Sequence, residues 1–226
     1  MITPEAAVER STNIIRPALA LSTVLSRTVR LTATQREAAT TMTGADMGTP
    51  QDSRPVWLLD IDGVVNALSR KPVSGSFPAD QWVQRLVHTD LPGLGPAAFP
   101  ILAAQPVLDF VAAVQATGKV DIRWHSTWRE AAVSDLAPSL GLPELPISVA
   151  PEWANHRAVI PWWKQAAAER VLAAGRLLVW TDDDINMFRV DLGAFERRAD
   201  ALLIAPDPER GLTQPDLEEI SRFLGL

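Results

Sequence analysis

Apolar residues are unevenly spread along the chain. From Pro55 onward, short continuous apolar runs alternate with stretches whose apolar positions recur every three to four residues. Val56-Trp57-Leu58-Leu59, leading into Asp60, has strand length and is apolar at every position, as a strand buried on both faces must be. Pro106 to Thr117 carries apolar residues at 107, 108, 110, 111 and 114, with Pro at its start and Gly118 at its end, which predicts a helix. Val120 to Trp124 reads as the next strand and Arg129 to Leu140 as a helix, with Pro138 a point where it could stop early. Ile147 to Ala150 is a brief strand, Pro161 to Ala174 a helix closed by Gly175, Leu177 to Trp180 a strand, and Ala201 to Ala205 another. The last helix starts at Thr213, where Thr213 and Asp216 form a capping pair ahead of the Leu217, Ile220, Phe223 and Leu224 stripe. This alternation predicts an α/β fold, a mainly parallel five-stranded sheet with helices on both faces.

Two segments break the pattern. Residues 67–105 are rich in Pro and Gly and too long for an ordinary strand-to-helix loop. Coming straight after the first strand, they are expected to hang over its carboxyl end as a flap or small cap-like insertion. Residues 1–54 are rich in Thr, Ala and Ser, lack aromatic residues and end in the turn-forming Gly48 to Ser53 stretch. They are expected to be a flexible N-terminal extension, with a helix over 14–31 as the competing reading. The domain itself is placed at 55–226.

Composition narrows the class. The longest apolar run, Pro17 to Leu25, is interrupted by Ser and Thr and is far short of the roughly 20 residues a membrane span needs. Arg10 and Arg16 precede it, but no small-residue cleavage site follows, so a cytoplasmic protein without a membrane partner is expected. The absence of cysteine excludes disulfides, thiolate chemistry and Cys-based zinc sites. His88, His125 and His156 have no paired metal spacing. A net charge of −6, made of +1 over residues 1–54 and −7 after them, argues against non-specific nucleic-acid binding.

The chemistry-bearing residues collect where strands end. The first strand runs into Asp60-Ile61-Asp62-Gly63-Val64-Val65-Asn66, the second into His125-Ser126-Thr127-Trp128, and the fourth into Thr181-Asp182-Asp183-Asp184. Each piece alone has an ordinary structural explanation: turn chemistry for Asp-x-Asp-Gly, an N-cap for Ser126 or the acidic run, a surface position for Lys164. Together they place carboxylates from neighbouring strands on one sheet edge, where mutual repulsion calls for a hard divalent cation with oxygen ligands, magnesium above all. Gly93-Leu94-Gly95-Pro96 lacks the strand-to-helix setting of a dinucleotide loop and no Walker-type loop occurs, so neither a dehydrogenase nor a P-loop kinase is expected.

That ordered set resembles the haloacid dehalogenase-like (HAD) superfamily of hydrolases over residues 55–226. Asp60-x-Asp62-Gly63-Val64-Val65-Asn66 looks like its first motif, Ser126 its second, Lys164 its third, and the pair Asp182 and Asp183 its fourth. The end of the chain, Leu202 to Asp207 with Gly211-Leu212-Thr213, looks like capless or small-flap bacterial members. The resemblance implies a Rossmann-like three-layer α/β/α sandwich and a magnesium-dependent phosphatase. In that reading Asp60 is the nucleophile that forms an aspartyl-phosphate. Asp62 protonates the leaving oxygen and then activates water. Magnesium is held by Asp60, the backbone carbonyl of Asp62, and the acidic pair, Asp182 being the preferred direct ligand over Asp183. Ser126 and Lys164 bind the phosphate oxygens. Thr127 in place of Ser126, Arg157 or Arg129 in place of Lys164, and a share for Asp184 in the metal site stay open.

The resemblance leaves the substrate a phosphorylated small molecule or a nucleic-acid end. Arg70, Lys71 and Arg85 against Asp80 and Asp90 make the flap segment mildly basic, with Phe77 and Trp82 interleaved. A solvated loop anchored by Trp82 is the plainer reading of it. The rival from another class is a HAD-fold binding or regulatory module without turnover.

Overall fold

The computed structural model describes residues 52–91, 95–148, 160–188, 192–193, 195 and 197–226. Apart from 52–54, the expected N-terminal extension lies outside the described residues, as do Val149, Ala150 and Arg157.

Four parallel strands make the main sheet: β1 (Val56–Leu59), β4 (Asp121–Trp124), β5 (Leu178–Thr181) and β6 (Ala201–Ile204), in the order β4-β1-β5-β6. Five strands were expected. Among the described residues, the Ile147 stretch pairs with β4 only through a single bridge to Trp124, made by Trp124 N–H to Pro146 O and Ser148 N–H to Trp124 O.

Every residue of β1 is buried, and alternation sends its side chains to opposite faces. Trp57 and Leu59 share one core with Val107, Leu108, Val111 and Val114 of α1 (Gln105–Ala116) and with Leu217 and Ile220 of α4 (Gln214–Leu224). Val56 and Leu58 share the other with Ala168 and Leu172 of α3 (Ile160–Ala173) and with Ile185, Leu192 and Phe195. Helices therefore cover both faces, and the continuous apolar reading of β1 has its physical reason here. The Thr213–Asp216 capping box is formed, with Thr213 N–H donating to Asp216 Oδ2 at 2.7 Å.

Pro138 does not stop its helix. The chain enters a π-helical segment at Ala132–Leu136 and continues as α2 (Ala137–Leu140) to Gly141, in the left-handed region at φ 68°. The wider turn ahead of Pro138 accommodates a residue that has no N–H to donate and crowds the preceding turn.

The 67–105 segment is not the solvated loop of the plainer reading. Most of it is an antiparallel hairpin, β2 (Trp82–Leu91) paired with β3 (Gly95–Ala104). Its base is buried through Ile101 to Ala104, and Ala67 N–H donates to Leu102 O at 2.8 Å. Thr89 Oγ1 donates to Asp135 Oδ2 at 2.6 Å, tying β2 to the π-helical segment. Trp82 does serve as an anchor, packed against the main core, and its indole N–H donates to Phe77 O at 3.1 Å. Among the described residues no helix is long and apolar enough to cross a membrane.

Candidate active site

In the register of the sheet Leu59 pairs with both Trp124 and Thr181, so the residues that follow all emerge at the same carboxyl edge. Asp60 follows β1, His125 and Ser126 follow β4, and Asp182 follows β5. Two backbone bonds lock this alignment: Asp60 N–H to Thr181 O at 3.1 Å and His125 N–H to Leu59 O at 2.8 Å. The carboxyl edge of a parallel sheet is where α/β folds place their ligands.

Carboxylate oxygens of Asp60, Asp182 and Asp183 lie within 4.8 Å of one another. Lys164, on α3, reaches into this group and donates to Asp60 Oδ2 at 2.6 Å and to Asp182 Oδ2 at 2.7 Å. Asp60, Asp182 and Lys164 are all buried. Burial alone would lower the Lys164 ammonium, but the charges of Asp60 and Asp182 outweigh it and raise it above its ordinary value. One cation among three carboxylates leaves negative charge uncompensated. Asp183 records the imbalance: burial first, then the charges of Asp184, Asp60 and Asp182, push its carboxyl up to about 7. Asp182 is likewise raised by burial and by Asp60. The donor set is anionic, made of oxygen ligands and short of positive charge, and it could hold a metal ion.

The remaining bonds orient these groups. Trp180 Nε1 donates to Asp182 Oδ2 at 3.2 Å, and Asp184 N–H donates to Asp182 Oδ1 at 3.1 Å. Asp184 is thus a backbone support for Asp182 and is not one of the three converging carboxylates. Ile61 N–H donates to Asp60 Oδ1 at 2.7 Å, and the Ile61 side chain is fully buried in the core. Gly63, at φ 73°, turns the chain after Asp62 in a conformation that favours glycine.

Asp62 stands apart from the converging trio. Its Oδ1 accepts from Asn66 Nδ2 at 2.8 Å and its Oδ2 from Trp128 Nε1 at 2.8 Å. Burial raises its carboxyl; the Trp128 and Asn66 bonds oppose the rise without cancelling it, and the Asp60 charge adds to it. Ser126 is buried whereas Thr127 is exposed, and Arg129 has a left-handed backbone at φ 49°. His125 is fully buried between Trp163 and Trp180, with Nδ1 2.6 Å from Ser148 Oγ. Burial, followed by the Lys164 charge, keeps its imidazole well below the ordinary value, so it is neutral.

The structure thus brings Asp60, Asp182, Asp183 and Lys164 together, with Ser126 at the same sheet edge. Sequence reasoning missed Trp128, Trp180 and the role of Asn66. All three lie within two residues of a quoted motif or inside it, and an indole or amide donor beside a carboxylate was the signal available. No family model, no curated protein and no solved structure matches the chain.

Proposed function

We propose that the chain is a magnesium-dependent phosphohydrolase that acts on phosphomonoesters through an aspartyl-phosphate on Asp60. The observation that carries this reading is the convergence of the Asp60, Asp182 and Asp183 carboxylates around a single lysine. Three anions and one cation at a sheet's carboxyl edge have little use in stability alone, because desolvating buried charges costs several kcal/mol each, roughly offsetting their attraction.

Asp60, Asp182 and Asp183 would hold the cation, with the backbone carbonyl of Asp62 as the further ligand that the HAD resemblance implies. Bound there, magnesium would neutralise charge on the phosphoryl group and on the Asp60 carboxylate. The rest falls to the chain's own residues. A carboxylate oxygen of Asp60 attacks phosphorus, and the ester oxygen departs with the proton of Asp62. Asp62 then takes a proton from the water that attacks phosphorus and frees Asp60. Lys164, a fixed cation held between Asp60 and Asp182, and Ser126 stabilise the non-bridging oxygens. His125 is neutral and walled off by two tryptophans, and it takes no part in proton transfer.

Hydrolysis of p-nitrophenyl phosphate, measured against magnesium concentration with EDTA as the control, tests the reading. Saturable metal-dependent turnover is the expected result. Its absence at every divalent cation tried favours the non-catalytic binding module.

A further inference from the structure

Both oxygens of the Asp62 carboxyl are taken by side chains that the β2–β3 hairpin itself holds. Trp128 Nε1 donates to Oδ2, and the Trp128 ring meets Phe99 of β3 edge-to-face at 5.2 Å between centroids. Asn66 Nδ2 donates to Oδ1, while Asn66 Oδ1 accepts from Leu102 N–H of β3 at 2.9 Å. A carboxyl gripped at both oxygens has its plane fixed, and each oxygen still keeps a lone pair for a proton. Trp128 is 1% exposed, so water does not compete for its N–H. The backbone just after it is strained: Arg129, at φ 49°, is the one non-glycine residue with positive φ among the described residues. Strain of this kind collects where a chain must aim a side chain.

We infer that Trp128 is a positioning residue for Asp62: its indole N–H, backed by Phe99 of the hairpin, sets the angle from which Asp62 protonates the leaving oxygen. The inference rests on the phosphohydrolase reading above. In the first step the phosphorus–oxygen ester bond breaks as the Asp60–phosphorus bond forms, and the Asp62 proton passes to the departing oxygen. A Trp128 that merely filled the core would affect every substrate alike. A Trp128 that aims the acid matters most where the departing oxygen needs a proton, because nitrophenolate leaves unaided and an alkoxide does not.

Trp128→Phe keeps an aromatic ring against Phe99 and removes the N–H. The test compares kcat/KM, which reports the first chemical step, for p-nitrophenyl phosphate and glycerol 2-phosphate in the unaltered protein and in W128F. The loss on the alkyl ester is expected to exceed the loss on the aryl ester by about tenfold or more, a fraction of what acid catalysis supplies. Equal losses on both esters, or none, overturn the inference. A second readout needs no turnover: the Trp128 indole N–H resonance, identified by its disappearance in W128F, is expected to move in Asp62→Ala, which removes the acceptor. If it stays in place, the bond does not exist and the inference falls. Should the unaltered protein hydrolyse neither ester with magnesium, the phosphohydrolase reading fails and takes the catalytic role of Trp128 with it, while the indole shift still reports the contact.

Discussion

Gly63 gives Asp183 the space its carboxyl occupies: a Cβ at Gly63 would run into the Asp183 side chain, with Oδ2 only 2.5 Å away. The turn after the first strand and the loop after β5 are thus fitted to each other at one missing methyl group. Residue 63 also donates its N–H to Asn66 O at 2.8 Å while in the left-handed region.

Gly63→Ala is therefore expected to damage stability and site together. The strained backbone and the overlap should cost about 1–3 kcal/mol, as overpacking does elsewhere. For a chain of this size that is about 2–4 °C in Tm per kcal/mol. Displacement of Asp183 should also weaken magnesium binding, read as a higher metal concentration for half-maximal turnover. A variant with unaltered Tm and unaltered metal dependence would mean that the two loops are not in contact.

Magnesium itself should stabilise the fold. A ligand that binds only the folded state at 100 times its Kd contributes about 2.7 kcal/mol. Thermal unfolding with millimolar magnesium and with EDTA is expected to differ by several degrees. Asp183→Asn removes one of the three converging carboxylates, so most of that difference should vanish. An undiminished shift in D183N would place the cation elsewhere.

Far from the candidate site, Asp121 opens β4 and accepts from Arg123 Nη2 at 2.6 Å and Arg176 Nη2 at 2.8 Å. Burial alone would raise its carboxyl, but the hydrogen bonds from Arg123 and Arg176 outweigh burial and hold it below the ordinary 3.8. A depressed folded value means that the stabilisation is fully present above pH 3.8 and is lost as pH falls through the folded value. Asp121→Asn should cost about 1–3 kcal/mol near neutral pH, the usual worth of charge-assisted bonds. The gap from the unaltered protein should close at strongly acid pH. A gap that stayed constant down to acid pH would assign the effect to packing.

The elements legible in advance were those whose signal is local. The apolar run of β1, the Pro and Gly bounds of α1 and the Thr213–Asp216 box each specify their own conformation, and the structure has all three. The convergence of Asp60, Asp182 and Asp183 followed from strand ends in a parallel sheet, a rule of topology rather than of any one residue. What escaped depends on which distant part of the core a segment comes to cover. The β2–β3 hairpin exists because Val87 and Leu91 of β2, with Ile101 to Ala104 of β3, find a core to cover, and its Pro and Gly content points the other way. The Ile147 stretch, expected as a strand over 147–150, makes one bridge to Trp124 among the described residues, and Val149 and Ala150 lie outside them. Trp128 and Trp180 read as core aromatics, and burial is what they share with the rest of the core. Only the direction of an indole N–H separates a packing residue from one that holds a carboxylate.

The central claim is that Asp60 carries the phosphoryl group, and Asp60→Asn tests it most directly. Asparagine keeps the size of the side chain and the acceptor for Ile61 N–H, so the variant should fold, as its circular dichroism and Tm would verify. Phosphate release from p-nitrophenyl phosphate at saturating magnesium is the measurement, with unaltered protein and D60N at equal concentration. The account predicts metal-dependent turnover by the unaltered protein and a loss on the order of 10³-fold or more in D60N, as removal of a nucleophile gives in other hydrolases. A folded D60N that retains turnover within about tenfold of the unaltered protein would contradict it, since the reaction would then proceed without a covalent bond to the Asp60 carboxylate.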